Sequence, residues 1–344
     1  MENELLKVAK GIDLTEEEML NIMNKIMDGK LSELEIANFL TNLKNKGESV
    51  EEISAGAKVM RAKAEKIKVR KDLYTVDTCG TGGDGLNTFN ISTTVAFVLA
   101  SEGIAIVKHG NRSVSSKSGS ADVLETLGVN INLSPKKVEE CVNKIGIGFL
   151  FAPTFHKAMK NVAKVRRSLA FRTIFNLLGP LTNPASAKAQ ILGVFNEELT
   201  EIFASVLNNL GTERALIVHG LDGLDEITIS DKTKITELNK GEITTYFIEP
   251  EDFGLKRSST LEIEGGDSKE NAEILKGLLN GEIHGAKKDI LILNSGAGLY
   301  IGNKANSLKE GVQLAREILD SGKAYKKLEE LIAFSNEVDK IDIG

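Results

Sequence analysis

The stretch DTCGTGGDGLNTFNISTT, Asp77 to Thr94, sets a glycine cluster directly after an expected β-strand and puts hydroxyl residues at the start of an expected helix. Glycines let backbone N–H groups turn toward an anion without a Cβ in the way, and Asn90, Ser92, Thr93 and Thr94 add donors where a helix dipole is positive. The chemistry this suits is the cradling of a phosphate. Gly80, Gly82 and Gly85 also satisfy the GxGxxG spacing of dinucleotide-binding proteins, but that fingerprint needs an acidic residue about 20 positions further on to hold a ribose. Here the next expected strand ends in Lys108 and His109. Asp84 inside the loop would repel a bare pyrophosphate, which points to ribose hydroxyls or a metal-neutralised ligand.

KHGNRSVSSKSGSAD, Lys108 to Asp122, again lies between an expected strand and an expected helix. Lys108, Arg112 and Lys117 supply charge, while Asn111, Ser113, Ser115, Ser116 and Ser120 supply neutral donors. A solvated polar loop would look similar, yet a second cation-rich loop beside a first is what a doubly phosphorylated ligand requires. LDGLDEITI places Asp225 and Glu226 side by side, after a strand ending in Val218, His219 and Gly220. Paired acids on a loop are usually just solvated, but next to phosphate cradles their hard oxygens can hold Mg²⁺. Finally, VRRSLAFRTIFNLLGPLTNP, Val165 to Pro184, brings Arg166, Arg167 and Arg172 beside a rigid, partly apolar turn. An arginine fork there could grip a carboxylate at two points, or could serve a helix end or an interdomain ion pair. Composition does not choose among the three.

The elements that must position these residues are legible in the patterning. Thr15 with Glu18, Ser32 with Glu35 and Ser49 with Glu52 are capping boxes that start at least three helices in the first 70 residues. Met19, Met23, Ile26 and Met27 form a helical stripe that reads as a buried face, with a dimer contact as the alternative. From Tyr74 onward, short β-branched runs alternate with helical patterns, the signature of a parallel sheet with crossover helices. Strands are expected at 74–77, 104–108, 148–151, 191–194, 215–218 and 290–293, and a local antiparallel insert at 226–248. The segment from Lys157 to Arg167 is helical again and is expected to pack on the N-terminal helices. The resulting expectation is an α/β protein: a helical domain over 1–72, with helices near 156–185 packing on it, and a larger α/β domain over 73–344 with a mostly parallel sheet.

With 344 residues the chain is longer than a single core usually grows, and 41% hydrophobic with 27% charged residues excludes a disordered chain. A net charge of −6 argues against broad affinity for nucleic acid, so an anionic ligand must meet local positive charge. Cys79 and Cys141 have no CxxC spacing, the N-terminus is charged from Glu2 onward, and no apolar run approaches the ~20 residues of a membrane span. A cytoplasmic location without membrane or nucleic-acid partners is expected.

Taken together and in order, CGTGGDG, NTFNIST, KHGNRSVSS, VRRSL with GPLTNP, and DE after HGLDG resemble the anthranilate phosphoribosyltransferase family through essentially the whole chain. The resemblance implies a nucleoside-phosphorylase-like fold, a homodimer formed through the helical parts, and an active site at the hinge. It implies transfer of a 5-phosphoribosyl group from phosphoribosyl pyrophosphate to anthranilate, with Mg²⁺, in tryptophan biosynthesis. Matching positions assign the donor to Gly80, Thr81, Gly82, Gly83, Asp84, Thr88, Asn90, Ile91, Ser92 and Thr93, and to Lys108, His109, Gly110, Asn111, Arg112, Ser113, Ser115, Ser116 and Ser120. They assign anthranilate to Gly80, Asn111, Arg166 and Pro180, with Arg166 facing the carboxylate, and the metal to Ser92, Asp225 and Glu226. Lys108 and Arg166 would act by charge and position, and His109 is not expected to serve as a base. A pyrimidine nucleoside phosphorylase would share the fold but use inorganic phosphate; the DE pair and the GTGGD loop favour the transferase. A noncatalytic nucleic-acid-binding relative would want a basic groove, which this acidic chain does not suggest.

Overall fold

The computed structural model describes residues 2–113 and 117–337. Ser115 and Ser116 lie outside the described residues.

Four helices open the chain: α1 (Glu2–Ala9), α2 (Glu16–Met27), α3 (Glu33–Lys46) and α4 (Val50–Lys63). All three capping boxes form, each cap hydroxyl accepting from the backbone N–H three residues on while the glutamate accepts from the cap N–H. The third does more than end a helix. Glu52 is fully buried, and it also accepts from the Leu14 N–H at 2.9 Å and from Lys46 Nζ at 2.7 Å. It thereby ties the turn before α2 to the start of α4. Met19, Met23, Ile26 and Met27 are at most 3% exposed, so the methionine stripe is core and not a partner surface.

Among the described residues seven strands follow: β1 (Thr75–Gly80), β2 (Ala105–Gly110), β3 (Ile147–Phe151), β4 (Ala189–Gly193), β5 (Arg214–Gly220), β6 (Thr233–Asn239) and β7 (Glu242–Ile248). They form one sheet in the order β3-β2-β1-β4-β5-β6-β7, parallel as far as β5 and antiparallel beyond it. The crossovers carry α5 (Ile91–Ser101), α6 (Ser120–Thr126), α7 (Pro135–Ile145), α8 (Ala152–Phe155), α9 (Lys160–Ser168), α10 (Ile174–Leu181) and α11 (Leu199–Asn209). After the sheet come α12 (Ser268–Leu279), α13 (Ala286–Ile301), α14 (Leu308–Ser321) and α15 (Lys323–Ser335). Alternate side chains of each strand face opposite ways. On β5, Leu216 and Val218 join the core built with α5 and α13, whereas Ala215 and Ile217 join the core built with α1 to α4 and α9 to α11. The helical unit and one face of the sheet therefore share a core. Helices of the 156–185 region touch the first helices: Asn161 donates to the Met27 carbonyl at 2.8 Å, and Arg61 Nε to the Leu181 carbonyl at 2.7 Å.

Two expectations are corrected. Residues 290–293 are not a strand but part of α13, with Ile290, Leu291, Ile292 and Leu293 all at most 2% exposed. A short apolar run reads alike in a buried strand and in a helix buried on every side, and only the 16-residue length of α13 separates them. The antiparallel region is not a local insert over 226–248. It is the hairpin β6–β7, which extends the main sheet, turning through Lys240 (φ 50°) and Gly241 (φ 94°), the two left-handed residues a tight hairpin turn needs.

Candidate active site

The sheet order reverses direction between β1 and β4, and ligands of open α/β sheets bind at such a point, outside the carboxyl ends of the strands. Here a cleft of about 860 Å³ opens at that place. One wall is the glycine loop after β1. Gly82, Gly83 and Gly85 have φ of 65°, 77° and 79°, conformations in which other residues are strained. Thr81 pins the base of the loop, donating its N–H to the Gly193 carbonyl at 2.9 Å and accepting from the Phe195 N–H at 3.1 Å. Further on, the Asn87 carbonyl accepts from the Gly265 N–H at 2.8 Å, and Thr88 pairs with Glu264. Asn90 stands at the N-terminus of α5 but caps nothing. Its amide donates to the Ser118 carbonyl at 3.2 Å and accepts from Asn271 Nδ2 at 3.0 Å, tying the segment after β1 to the loop after β2.

The loop after β2 closes the far end. Lys108 is 4% exposed; its Nζ donates to the Thr78 carbonyl and lies 3.4 Å from Ser92 Oγ. Burial lowers its pKa, opposed by Asp77 and Glu226. Gly110 has no room for a Cβ, because Ser120 Oγ and the Phe149 ring fill that space. Arg112 borders the cleft with its charge already paired, to Asp122 at 3.0 Å and Glu125 at 2.8 Å. Lys117 is exposed and does not line the cleft. His109 packs its ring 5.0 Å from that of His156, and burial drives its pKa down to about 3, leaving a neutral imidazole at pH 7. Beneath it, Asp77 accepts from the His109 N–H at 3.2 Å and from Asn183 Nδ2 at 2.7 Å, and burial raises its pKa to about 6.

Asp225 and Glu226 come in over the sheet from the loop after β5. Asp225 Oδ2 accepts from the Gly82 N–H at 2.7 Å, and Glu226 Oε1 from the Ser92 N–H at 3.0 Å, so one carboxylate orders the glycine loop while the other meets the positive end of α5. Burial and then the neighbouring Asp84 push Asp225 well above the usual carboxylate range; burial and then Asp225 push Glu226 up to about 8. Asp84 is raised too, chiefly by burial. Crowded acids of this kind fit a cation that relieves their repulsion. Among the described residues, no three His, Cys, Asp or Glu enclose a metal by themselves. The arrangement therefore suits a cation that brings oxygen ligands with it, as Mg²⁺ does on a diphosphate.

A pH effect follows for the protein without ligands. The folded pKa of Glu226, about 8, lies above the ordinary value of roughly 4.3, so the native state holds this proton more tightly than the unfolded state. The associated stability is full below the unfolded pKa and is lost as pH rises through about 8. Between pH 6 and pH 9, the wild-type Tm should fall by about 4 °C more than that of Glu226→Gln. Parallel Tm profiles would place this carboxyl in the ordinary range.

The rest of the lining comes from the helical side. Arg166, at the end of α9, lines the cleft with its guanidinium 5.5 Å from the Phe175 ring, and among the described residues it has no hydrogen bond or ion pair. Burial lowers its pKa, so an unanswered, partly desolvated charge faces the cleft. Arg167 points elsewhere and is exposed, whereas Arg172 lines the cleft. The cleft thus gathers every described residue named for the donor and the metal, together with Asn111 and Arg166. Pro180 is outside its lining: it is buried inside α10, where its carbonyl accepts from Gln190 Nε2 at 2.7 Å. Phe171, Asn176 and Phe195 also line the cleft and were not anticipated. Phe195 carried a usable signal, since it follows the end of an expected strand, where such sheets bind ligands.

The chain matches the glycosyl transferase family helical bundle domain over residues 4–64 and the glycosyl transferase family a/b domain over 72–325. It is 55% identical to anthranilate phosphoribosyltransferase of Acetivibrio thermocellus, covering 96% of this chain and 95% of the relative, and 54% identical to that of Alkaliphilus metalliredigens, covering 98% and 99%. The crystal structure of the Thermus thermophilus enzyme of this name superposes with a TM-score of 0.92 at 45% identity, covering 97% of this chain and 99% of that one. The Saccharomyces cerevisiae enzyme, solved in complex with PRPP and Mg, superposes at 0.89 with 29% identity over 98% and 99%. A cleft lined by the loops after β1 and β2, paired acids and an arginine without a hydrogen bond or ion pair among the described residues sits in a chain more than half identical to the Acetivibrio and Alkaliphilus relatives over at least 95% of each, and the chain belongs to the anthranilate phosphoribosyltransferase family.

Proposed function

We propose that this chain transfers the 5-phosphoribosyl group of phosphoribosyl pyrophosphate to the amine of anthranilate, releasing pyrophosphate, as a step of tryptophan biosynthesis. The observation that carries this reading is the meeting of two kinds of lining in one cleft. The loops after β1 and β2 with Lys108, Asp225 and Glu226 form one part of the lining, and Arg166, with no hydrogen bond or ion pair among the described residues, forms another. The first suits a doubly phosphorylated ribose and its cation; the second suits a small carboxylate.

In this reading the N–H groups of the Gly80–Asp84 loop and of the α5 N-terminus, with Thr88, Asn90, Ser92, Thr93, Lys108 and Ser120, hold the donor. Asp225, Glu226 and Ser92 would hold Mg²⁺, which when bound neutralises charge on the departing pyrophosphate. Arg166 and Asn111 hold anthranilate with its amine toward the anomeric carbon. The new C–N bond forms as the bond to pyrophosphate breaks, and catalysis comes mainly from alignment and charge stabilisation. His109, neutral and buried, is poorly suited to take the amine proton at pH 7, which leaves water or phosphate as acceptor. We also place the domain boundary near residues 72 and 73, and infer a cytoplasmic homodimer joined through the helical part.

The test is loss of anthranilate fluorescence when the protein is mixed with anthranilate, phosphoribosyl pyrophosphate and Mg²⁺, with each omitted in turn. Turnover that needs all three supports the reading, and none in folded protein overturns it. Asp225→Asn and Glu226→Gln should each raise the Mg²⁺ concentration for half-maximal rate by about tenfold, the loss of one charged ligand. An unchanged Mg²⁺ titration would make both residues purely structural.

A further inference from the structure

Arg172 is exposed in the connection between α9 and α10, yet its guanidinium is held at two points. Nη2 donates to the Gly83 carbonyl at 2.5 Å, and the guanidinium carbon sits 3.9 Å from the centre of the Phe195 ring. The fit is close, since a Cβ on Gly83 would run into this guanidinium. Gly83 itself has φ of 77° and no side chain to anchor it, so its place depends on contacts from elsewhere. Asp225 accepts from the Gly82 N–H and Thr81 Oγ1 from the Phe195 N–H, but neither meets Gly83 itself. Arg172 reaches Gly83 from the helical side, six positions after Arg166.

We propose that Arg172 is a positioning residue that clamps the glycine loop in its donor-binding shape, tethering Gly83 to the α9–α10 connection with Phe195 as the brace. This rests on the donor site described above. A guanidinium whose face lies on a ring and whose N–H meets a neutral carbonyl acts here on the protein's own backbone. Arg166 is the contrasting case, with a charge left open to the cleft. Because α9 and α10 also carry the acceptor wall, the clamp joins the two halves of the site.

Three measurements test this. Arg172→Ala should raise the KM for phosphoribosyl pyrophosphate about tenfold, with kcat and the anthranilate KM changed by less than about threefold. Phe195→Leu, which removes the brace and no charge, should produce much of the same rise, and the double variant should be little worse than Arg172→Ala alone. In protein without ligands, hydrogen exchange at the Gly82 and Leu86 amides, bonded to Asp225 and Asp84, should speed up about tenfold in Arg172→Ala. If the donor KM rises only in Arg172→Ala, with exchange unchanged, then Arg172 meets the donor's charge directly and the clamp is wrong; an unchanged donor KM overturns it as well. Should Phe195→Leu fail to fold, the exchange comparison on Arg172→Ala decides alone. Absence of turnover in the wild type would refute the assigned reaction, while the exchange data would still test the tether.

Discussion

Gly193→Ala should lower kcat/KM by at least about 100-fold while leaving a folded protein. β1 and β4 are parallel neighbours with Gly80 opposite Gly193, and these glycines form the shelf on which the Asp225 segment rests. A Cβ on Gly80 would lie 2.5 Å from Asp225 Oδ2, and one on Gly193 would fall on the Asp225 carbonyl itself. A carboxylate can swing aside, but a backbone carbonyl cannot move without taking its neighbours along. The alanine should therefore lift Asp225 and Glu226 off the strand ends, breaking their bonds to the Gly82 and Ser92 N–H groups and spoiling the glycine loop and the N-terminus of α5 together. Overpacking of this kind costs about 1 to 3 kcal/mol of stability, which a urea titration would register alongside steady-state kinetics. Activity within fivefold of wild type would mean that the loop after β5 tolerates displacement and that its carboxylates do not hold the metal.

Arg166→Ala should raise the KM for anthranilate by roughly 10- to 150-fold, the equivalent of about 1.5 to 3 kcal/mol for a charge-assisted bond, and hardly change that for phosphoribosyl pyrophosphate. The guanidinium is partly desolvated, and among the described residues no carboxylate answers it, so a ligand carboxylate has no internal rival to displace. Arg166→Lys should recover only part of the loss, because an ammonium keeps the charge but not the planar fork. Initial rates with each substrate varied in turn would decide. Equal losses for both substrates would assign Arg166 to the architecture of the cleft instead.

Much of this protein was determined locally and could be read from the chain. The three capping boxes are complete within four residues each, so Thr15, Ser32 and Ser49 announced their helices without tertiary help. The glycines of the loop after β1 and the hydroxyls after them were equally plain, since left-handed φ and helix-end donors are demands made residue by residue. Resemblance in five ordered motifs then carried the site as far as Asp225, Glu226 and Arg166.

What tertiary structure decided depends on contacts between distant segments. Residues 290–293 look like a buried strand because four apolar residues carry no period, and the helix they belong to is recognised only by what surrounds it. Pro180 sits in a motif rich in site residues yet faces the interior, since α10 turns that side away from the cleft. Composition left Arg166, Arg167 and Arg172 equivalent. The packing of α9 and α10 gave them different work: one open to the cleft, one outside its lining, one fastened to Gly83 and Phe195. Gly193 drew no notice in the sequence, because the room it must leave belongs to a residue 32 positions away, brought over it only by the order of strands in the sheet.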